Sequence, residues 1–162
     1  VLGPLTNPAG AKAHLVGVAD PAYGEKMARV LDTLGSTHAM VVHGKDGLDE
    51  ISLGDETQVW EMKDGTVSSY TLTPEDMGFS RSGREALSAA SVEESTRILR
   101  SVLEGTPGPP RDVGLMNAGA ALMAADKAAT LNEGIEMAAE SIDSGRALET
   151  LNALERLSNE LE

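Results

Sequence analysis

The sequence contains no cysteine and very few aromatic residues. Without cysteine the chain forms neither a disulfide nor a thiolate metal site, which agrees with a reducing cytoplasm. Aromatic residues make up 2% of the 162 residues, while hydrophobic residues reach 41%, a normal share for a globular domain. The core of this domain must therefore be built from aliphatic side chains, methionine and alanine, which favours closely packed helices.

Two further features are missing. No apolar run approaches the roughly 18 residues of a membrane span, and no segment resembles a signal peptide. We therefore expect a cytoplasmic protein with no membrane partner. The chain also begins with Val1 rather than methionine, so we expect a fragment or a processed chain.

Positive charge is scarce, because 13 basic residues face 26 acidic ones and give a formal net charge of −13. Binding to nucleic acid requires Lys and Arg to neutralise phosphates, so the charge excludes nucleic acid as a partner and disfavours anionic membranes. A phosphorylated small molecule remains a possible substrate if a cation, or basic groups from elsewhere, offset its charge.

The apolar runs predict an α/β fold. Residues 15–18 and 39–42 are typical of buried strands, and a helix that Asp20 caps and Gly35 ends lies between them. A strand, a helix and a strand with short connections form a βαβ unit, which implies a parallel sheet with strands near 14–18 and 38–42.

An antiparallel hairpin and several helices are predicted to follow. Asp64-Gly65 separates two strand-like runs within residues 57–72, which is a strong hairpin signal. Residues 74–162 are predicted to be almost entirely helical, with at least four helices after residue 90, two of which open on capping boxes at Ser91 and Thr130. The prolines in 106–110 are interpreted as a loop. The leucine stripe of the last helix is interpreted as a core-facing edge: Leu148, Leu151, Leu154, Leu157 and Leu161.

The densest polar cluster, residues 43–50, directly follows the second predicted strand. Ligands of parallel α/β sheets bind beyond the carboxyl ends of the strands, so this loop is a candidate site. Asp49 and Glu50 are adjacent carboxylates, and Mg²⁺ binds to one or two carboxylates together with waters and substrate phosphates. The alternative is a solvated acidic turn, and spacing alone favours that alternative.

Two other residues of this loop invite a functional interpretation. His43 occupies the position of a general base or a ligand, but a histidine that ties the loop down by hydrogen bonds is the favoured interpretation. Lys45 could contact a phosphate, although the loop lacks the G-x-x-x-x-G-K-[ST] pattern of a phosphate-binding loop.

The segment Gly3-Pro4-Leu5-Thr6-Asn7-Pro8 is the second unusual string. Its glycine and two prolines impose a rigid, non-helical path. Such a segment is either a domain connector or the wall of a small-molecule pocket.

Taken together, these strings resemble the C-terminal half of anthranilate phosphoribosyltransferases, over essentially the whole chain. The most specific strings are Gly3-Pro4-Leu5-Thr6-Asn7-Pro8 and Gly47-Leu48-Asp49-Glu50. The others, in order along the chain, are Met27–Leu31, Leu72–Asp76 and Asn117–Leu122.

The resemblance implies the catalytic-domain fold that phosphoribosyltransferases share with nucleoside phosphorylases. It also implies a reaction in which anthranilate displaces pyrophosphate from phosphoribosyl pyrophosphate during tryptophan biosynthesis. Asp49 and Glu50 would then hold Mg²⁺, and Gly3 and Pro4 would shape the anthranilate side of the site.

Residues 1–162 would form the C-terminal part of the α/β catalytic domain. The family's N-terminal helical domain and its pyrophosphate-binding loop would belong to the other half of the enzyme, which is itself expected to be a homodimer. The isolated half is therefore expected to be inactive.

Three alternatives are weighed against this interpretation. A pyrimidine nucleoside phosphorylase relative would carry a further α/β domain where this chain ends in helices. A non-catalytic, nucleic-acid-binding relative would need a basic face. A fragment that serves only as a folding module is compatible with the same family.

Overall fold

The computed structural model describes residues 3–160, which contain one four-stranded mixed sheet. The strands lie in the order in which they occur along the chain, and the first two are parallel while the other neighbours are antiparallel. The α/β fold with a parallel pair, a hairpin and C-terminal helices is therefore confirmed. The strands are β1 (Ala13–Gly17), β2 (His38–Gly44), β3 (Thr57–Lys63) and β4 (Thr66–Leu72).

Five α-helices accompany the sheet in the described part of the chain. One lies between β1 and β2, and four follow residue 90, as predicted. They are α1 (Gly24–Thr33), α2 (Val92–Leu103), α3 (Pro109–Ala124), α4 (Leu131–Asp143) and α5 (Arg146–Glu160). Short 3₁₀ turns occur at Gly3–Thr6, Pro21–Tyr23, Glu75–Met77 and Arg84–Leu87.

The sheet separates two apolar clusters, and β2 contributes to both. Met40 and Val42 pack on the side of α3, whereas Ala39 and Val41 pack on the side of α1. All seven residues of β2 are buried, as expected of a strand that is covered on both faces. This arrangement places the chain's polar chemistry at the ends of β2 rather than along it.

The local signals for turns and helix starts behave as predicted. Asp64 and Gly65 both take positive φ angles, 49° and 76°, which is the conformation of a two-residue hairpin turn. The hydroxyls of Ser91 and Thr130 each accept a hydrogen bond from the backbone N–H three residues later, at 3.1 and 3.2 Å. These side chains satisfy backbone donors that would otherwise lack a helical partner.

Two helix predictions were inaccurate. Asp20 caps the 3₁₀ turn Pro21–Tyr23 and not the α-helix itself, which begins at Gly24. Pro109 and Pro110 were assigned to a loop, but they form the first turn of α3. A proline is tolerated there because the first N–H groups of a helix have no partner within the helix.

The core-facing interpretation of the last leucine stripe was wrong for two of its members. Leu148 and Leu151 are half-buried, whereas Leu154 is 62% and Leu157 is 53% exposed. Leu161 lies outside the described residues. Leucine spacing alone identifies an apolar helix edge, but it does not say how far along that edge the core extends.

Helices α3 and α4 cross at close range through a pair of glycines. A Cβ atom added to Gly119 would lie 2.7 Å from the Ile135 backbone nitrogen, and one added to Gly134 would overlap the Gly119 carbonyl. The contact brings α4 against the helix that covers the sheet, so the Ala- and Gly-rich sequence of α3 reflects close packing.

We expect Gly119→Ala to lower the free energy of unfolding by roughly 1–3 kcal/mol, because the new methyl group would overlap the α4 backbone. Gly114→Ala on the same helix is the matched control. Its new Cβ would lie 3.9 Å from Val102, so the substitution should be neutral or stabilising by about 0.4–1 kcal/mol. Urea denaturation of both variants measures the difference, and equal midpoints would contradict the packing argument.

Candidate functional site

The candidate site lies where the parallel strands β1 and β2 end side by side. His43, the next-to-last residue of β2, is buried, and its Nδ1 donates a hydrogen bond to the Val18 carbonyl at 2.8 Å. A carbonyl only accepts, so the proton resides on Nδ1. The prediction that His43 ties this region down by a hydrogen bond is confirmed.

The loop that follows, residues 45–56, is held together by one internal carboxylate. Asp46 Oδ2 accepts a 2.7 Å hydrogen bond from the Ser52 hydroxyl, and Asp46 Oδ1 accepts a weaker one from the Leu48 N–H at 3.3 Å. Ser52 is fully buried, and its Oγ also accepts the N–H of Gly54 at 2.9 Å. The loop therefore has an ordered, hydrogen-bonded interior, and only part of it is exposed to solvent.

The basic side chains around the loop already have partners. Lys45 forms a 2.5 Å ion pair with Glu56, and this contact raises the pKa of Lys45. Arg81 bridges Asp55 and Glu75, and Arg84 donates to the Asp46 carbonyl at 3.0 Å. The prediction that Lys45 could contact a phosphate gains no support, because its ammonium group is bound within the loop.

Asp49 and Glu50 are exposed, and within residues 3–160 neither carboxylate forms a hydrogen bond or an ion pair, in contrast to these neighbours. Asp49 lines a pocket of about 270 Å³ together with residues at the end of β1, among them Gly17 and Asp20. A Cβ atom on Gly17 would overlap the Asp49 carbonyl, so the two backbones touch. Only glycine permits this approach, which places the Asp49–Glu50 step over the carboxyl end of β1.

The surroundings of Glu50 affect its protonation. The pKa of Glu50 is raised, first because the surrounding protein reduces hydration of its carboxylate and second because of the negative charge of Asp49. Between residues 3 and 160, no group of three or more histidine or acidic side chains could hold a metal ion. The pair thus offers two ligands, which suits a hard cation whose remaining ligands are waters or phosphates.

Ile51, which follows the Asp49–Glu50 pair, is bound by Asn117, a residue to which no role was assigned from the sequence. The Asn117 side chain, on α3, accepts the Ile51 N–H at 2.9 Å and donates to the Ile51 carbonyl at 3.0 Å. Asparagine is a poor helix former within a run of alanine and glycine. That mismatch, together with its place at the start of the family-like string Asn117–Leu122, is the sequence signal that could have singled it out.

The other predicted binding residues lie on a separate segment. Gly3 is exposed, in the 3₁₀ turn Gly3–Thr6, and it is not among the residues that line the Asp49 pocket. The Pro4 side chain lies outside what the structure describes. Leu5 packs against the apolar cluster on the α1 side of the sheet, which anchors this segment to the same domain.

Known proteins resemble this chain over nearly its full length. The family model for the glycosyl transferase family, a/b domain, matches residues 1–148. An anthranilate phosphoribosyltransferase of Symbiobacterium thermophilum is 55% identical over 99% of this chain and 47% of its own length. One from Thermomicrobium roseum is 54% identical over the same shares. The chain therefore spans about half the length of the curated relatives that it matches.

Solved structures agree with the sequence comparison. The anthranilate phosphoribosyltransferase of Thermus thermophilus superimposes with a TM-score of 0.86 at 42% identity, over 94% of this chain and 45% of that one. The Saccharomyces cerevisiae enzyme in complex with PRPP and Mg has a TM-score of 0.83 at 30% identity, over 94% of this chain and 44% of that one. Because the family model matches residues 1–148, this chain belongs to the glycosyl transferase family and corresponds to the a/b domain of that family.

Proposed function

We propose that this chain is the part of an anthranilate phosphoribosyltransferase that supplies the acidic residues for the pyrophosphate side of the reaction. In that reaction the anthranilate nitrogen takes the phosphoribosyl group from phosphoribosyl pyrophosphate and pyrophosphate leaves. The observation that carries the proposal is the exposed Asp49–Glu50 step, fixed by Gly17 and Asn117 at the carboxyl ends of parallel strands. The similarity to named anthranilate phosphoribosyltransferases supports the choice of substrates.

The Asp49 and Glu50 carboxylates are suited to Mg²⁺, because that ion prefers oxygen ligands and leaves room for substrate phosphates. When bound, Mg²⁺ offsets the negative charge of a departing pyrophosphate. Asp49 and Glu50 themselves would orient the ion over the end of β1. The hydration of the Glu50 carboxylate is reduced, as its raised pKa reflects.

The distribution of charge supports a division of the active site between two parts of the enzyme. The lysine and arginines nearest the loop pair with carboxylates or the loop backbone, and the chain carries a net charge of −13. We propose that the phosphate-binding cations and the glycine-rich pyrophosphate loop come from the N-terminal half of the same enzyme, and that the complete enzyme is a homodimer. Gly3 and Pro4 would border the anthranilate, and the reaction would take place in the cytoplasm.

In the complete enzyme, the double variant Asp49→Asn, Glu50→Gln should reduce kcat by roughly 10²–10³-fold, because leaving-group charge loses its counterion. Both substitutions preserve shape, and both side chains are exposed, so the fold should persist. The matched control is Asp55→Asn, Glu56→Gln in the same loop. Those carboxylates pair with Arg81 and Lys45. A kcat that falls equally in both double variants would contradict the assignment.

The raised pKa of Glu50 makes a second prediction, for stability. A carboxyl group whose pKa is higher in the folded than in the unfolded state opposes folding at high pH. That penalty disappears as pH falls below the unfolded value of about 4.3. Glu50→Gln should therefore raise the thermal midpoint of the enzyme slightly at pH 7, although it lowers activity. The increase in thermal midpoint should vanish as the pH approaches the unfolded-state pKa of the carboxyl group. An increase that grows on acidification would contradict the raised pKa of Glu50 as its cause.

The 162-residue chain alone should form no phosphoribosyl-anthranilate at any Mg²⁺ concentration, because the phosphate-binding cations would belong to the other half. Anthranilate fluorescence follows the conversion directly, and the complete enzyme serves as the positive control. Turnover by the chain alone would show that it contains its own phosphate-binding groups and would overturn the proposed division of the site.

A further inference from the structure

The side chain of Asn117 occupies an unusual place between a helix and an irregular loop. It lies on α3, 66 residues along the chain from Ile51, and its amide contacts both backbone polar groups of that residue. The same Nδ2 group donates to the Val113 carbonyl one turn earlier in α3, at 3.0 Å. This second bond fixes the rotamer of the amide before it reaches the loop.

Ile51 needs such a partner because it is buried outside any strand. Its side chain is fully buried in the apolar cluster on the α3 side of the sheet. A buried N–H and C=O that lack a strand neighbour must find another partner, and the carboxamide of Asn117 supplies a donor and an acceptor at once. The side-chain amide thus makes the two hydrogen bonds with Ile51 that a neighbouring strand would make in a sheet.

The position matters because Ile51 directly follows Glu50. On one side of the pair, the backbone of Asp49 touches Gly17. On the other side, Asn117 binds the backbone of Ile51. Between these two contacts the chain has little freedom to move the exposed carboxylates. We infer that Asn117 is a positioning residue for the Asp49–Glu50 pair, which sets the affinity of the site for Mg²⁺ without contacting the ion. This inference rests on the proposed function.

The role predicts a particular kinetic signature in the complete enzyme. Groups that orient metal ligands typically change metal affinity or activity by roughly 10–100-fold when removed. Asn117→Ala should therefore raise the dissociation constant for Mg²⁺ by roughly 10–100-fold when Mg²⁺ is titrated into the complete enzyme in a calorimeter, and the Mg²⁺ concentration for half-maximal activity should rise in parallel. The KM for anthranilate should change little, because no contact with that substrate is involved.

Loss of stability alone would give a different result, and Gly119→Ala provides the comparison. It lies two residues further along α3 and disturbs the contact with α4, without any bond to the loop. A destabilised but correctly assembled enzyme should show fewer active molecules with an unchanged Mg²⁺ dependence. An unchanged Mg²⁺ dependence in Asn117→Ala as well would overturn the inference.

A second variant covers the case in which Asn117→Ala does not fold. Asn117→Asp keeps the shape and an acceptor for the Ile51 N–H, but it replaces the donor to the Ile51 and Val113 carbonyls with a carboxylate oxygen. The loop therefore keeps one tie of two, and the half-maximal Mg²⁺ concentration should still rise by several-fold. A folded Asn117→Asp enzyme with wild-type Mg²⁺ dependence would refute the positioning role independently.

A cycle with the acidic pair separates this inference from the proposed function. If Asp49→Asn, Glu50→Gln already removes the response to Mg²⁺, then adding Asn117→Ala should cause no further loss of kcat per folded molecule. A further, additive loss of kcat would mean that Asn117 acts elsewhere. That result would refute the inference about Asn117 and leave the proposed function intact. Full activity of the Asp49→Asn, Glu50→Gln enzyme would instead remove the proposed metal site and the inference with it.

Discussion

Burial of β2 on both faces is the constraint from which the rest of this structure follows. Its side chains alternate between two apolar clusters, so polar groups fit only at its ends. At the amino end, His38 lies 2.7 Å from the Glu61 carboxylate, which also accepts a hydrogen bond from the Tyr70 hydroxyl. Burial, and then the charge of Glu61, raise the pKa of Tyr70. At the carboxyl end, His43 joins β2 to Val18, the residue that follows β1, and the candidate functional loop begins there.

The loop after β2 has a defined conformation although it contains no regular secondary structure, because side chains replace the missing backbone partners. Asp46 and Ser52 close it from within, whereas Asn117 closes it from α3. Carboxylates in one short segment consequently serve two purposes. Asp46 points inward and organises the backbone, whereas Asp49 and Glu50 remain exposed, as the proposed metal site requires. Burial and hydrogen bonding, rather than residue type, separate these roles.

The proposed metal site carries an electrostatic cost while it is empty. Partial loss of hydration, and then the negative charge of Asp49, raise the pKa of Glu50. Neighbouring cations offer no relief, since Lys45 and Arg81 pair with Glu56 and Asp55. A site that is destabilised while empty gains most from binding a divalent ion, and such conflicts between stability and function are common at active sites.

The sequence by itself determined most features that depend on a few neighbouring residues, although it misassigned the helix that Asp20 caps and placed Pro109 and Pro110 in a loop. The apolar runs defined β1 and β2, Asp64-Gly65 defined the hairpin, and the caps at Ser91 and Thr130 defined helix starts. It also singled out Asp49 and Glu50, by their position after a strand and by resemblance to a family. Only the tertiary structure decided that Gly17 touches Asp49, that Asn117 holds Ile51, and how much of the α5 leucine stripe is covered. These contacts join segments far apart in the chain, and hydrophobic periodicity records which face of an element is apolar but not which partner covers it.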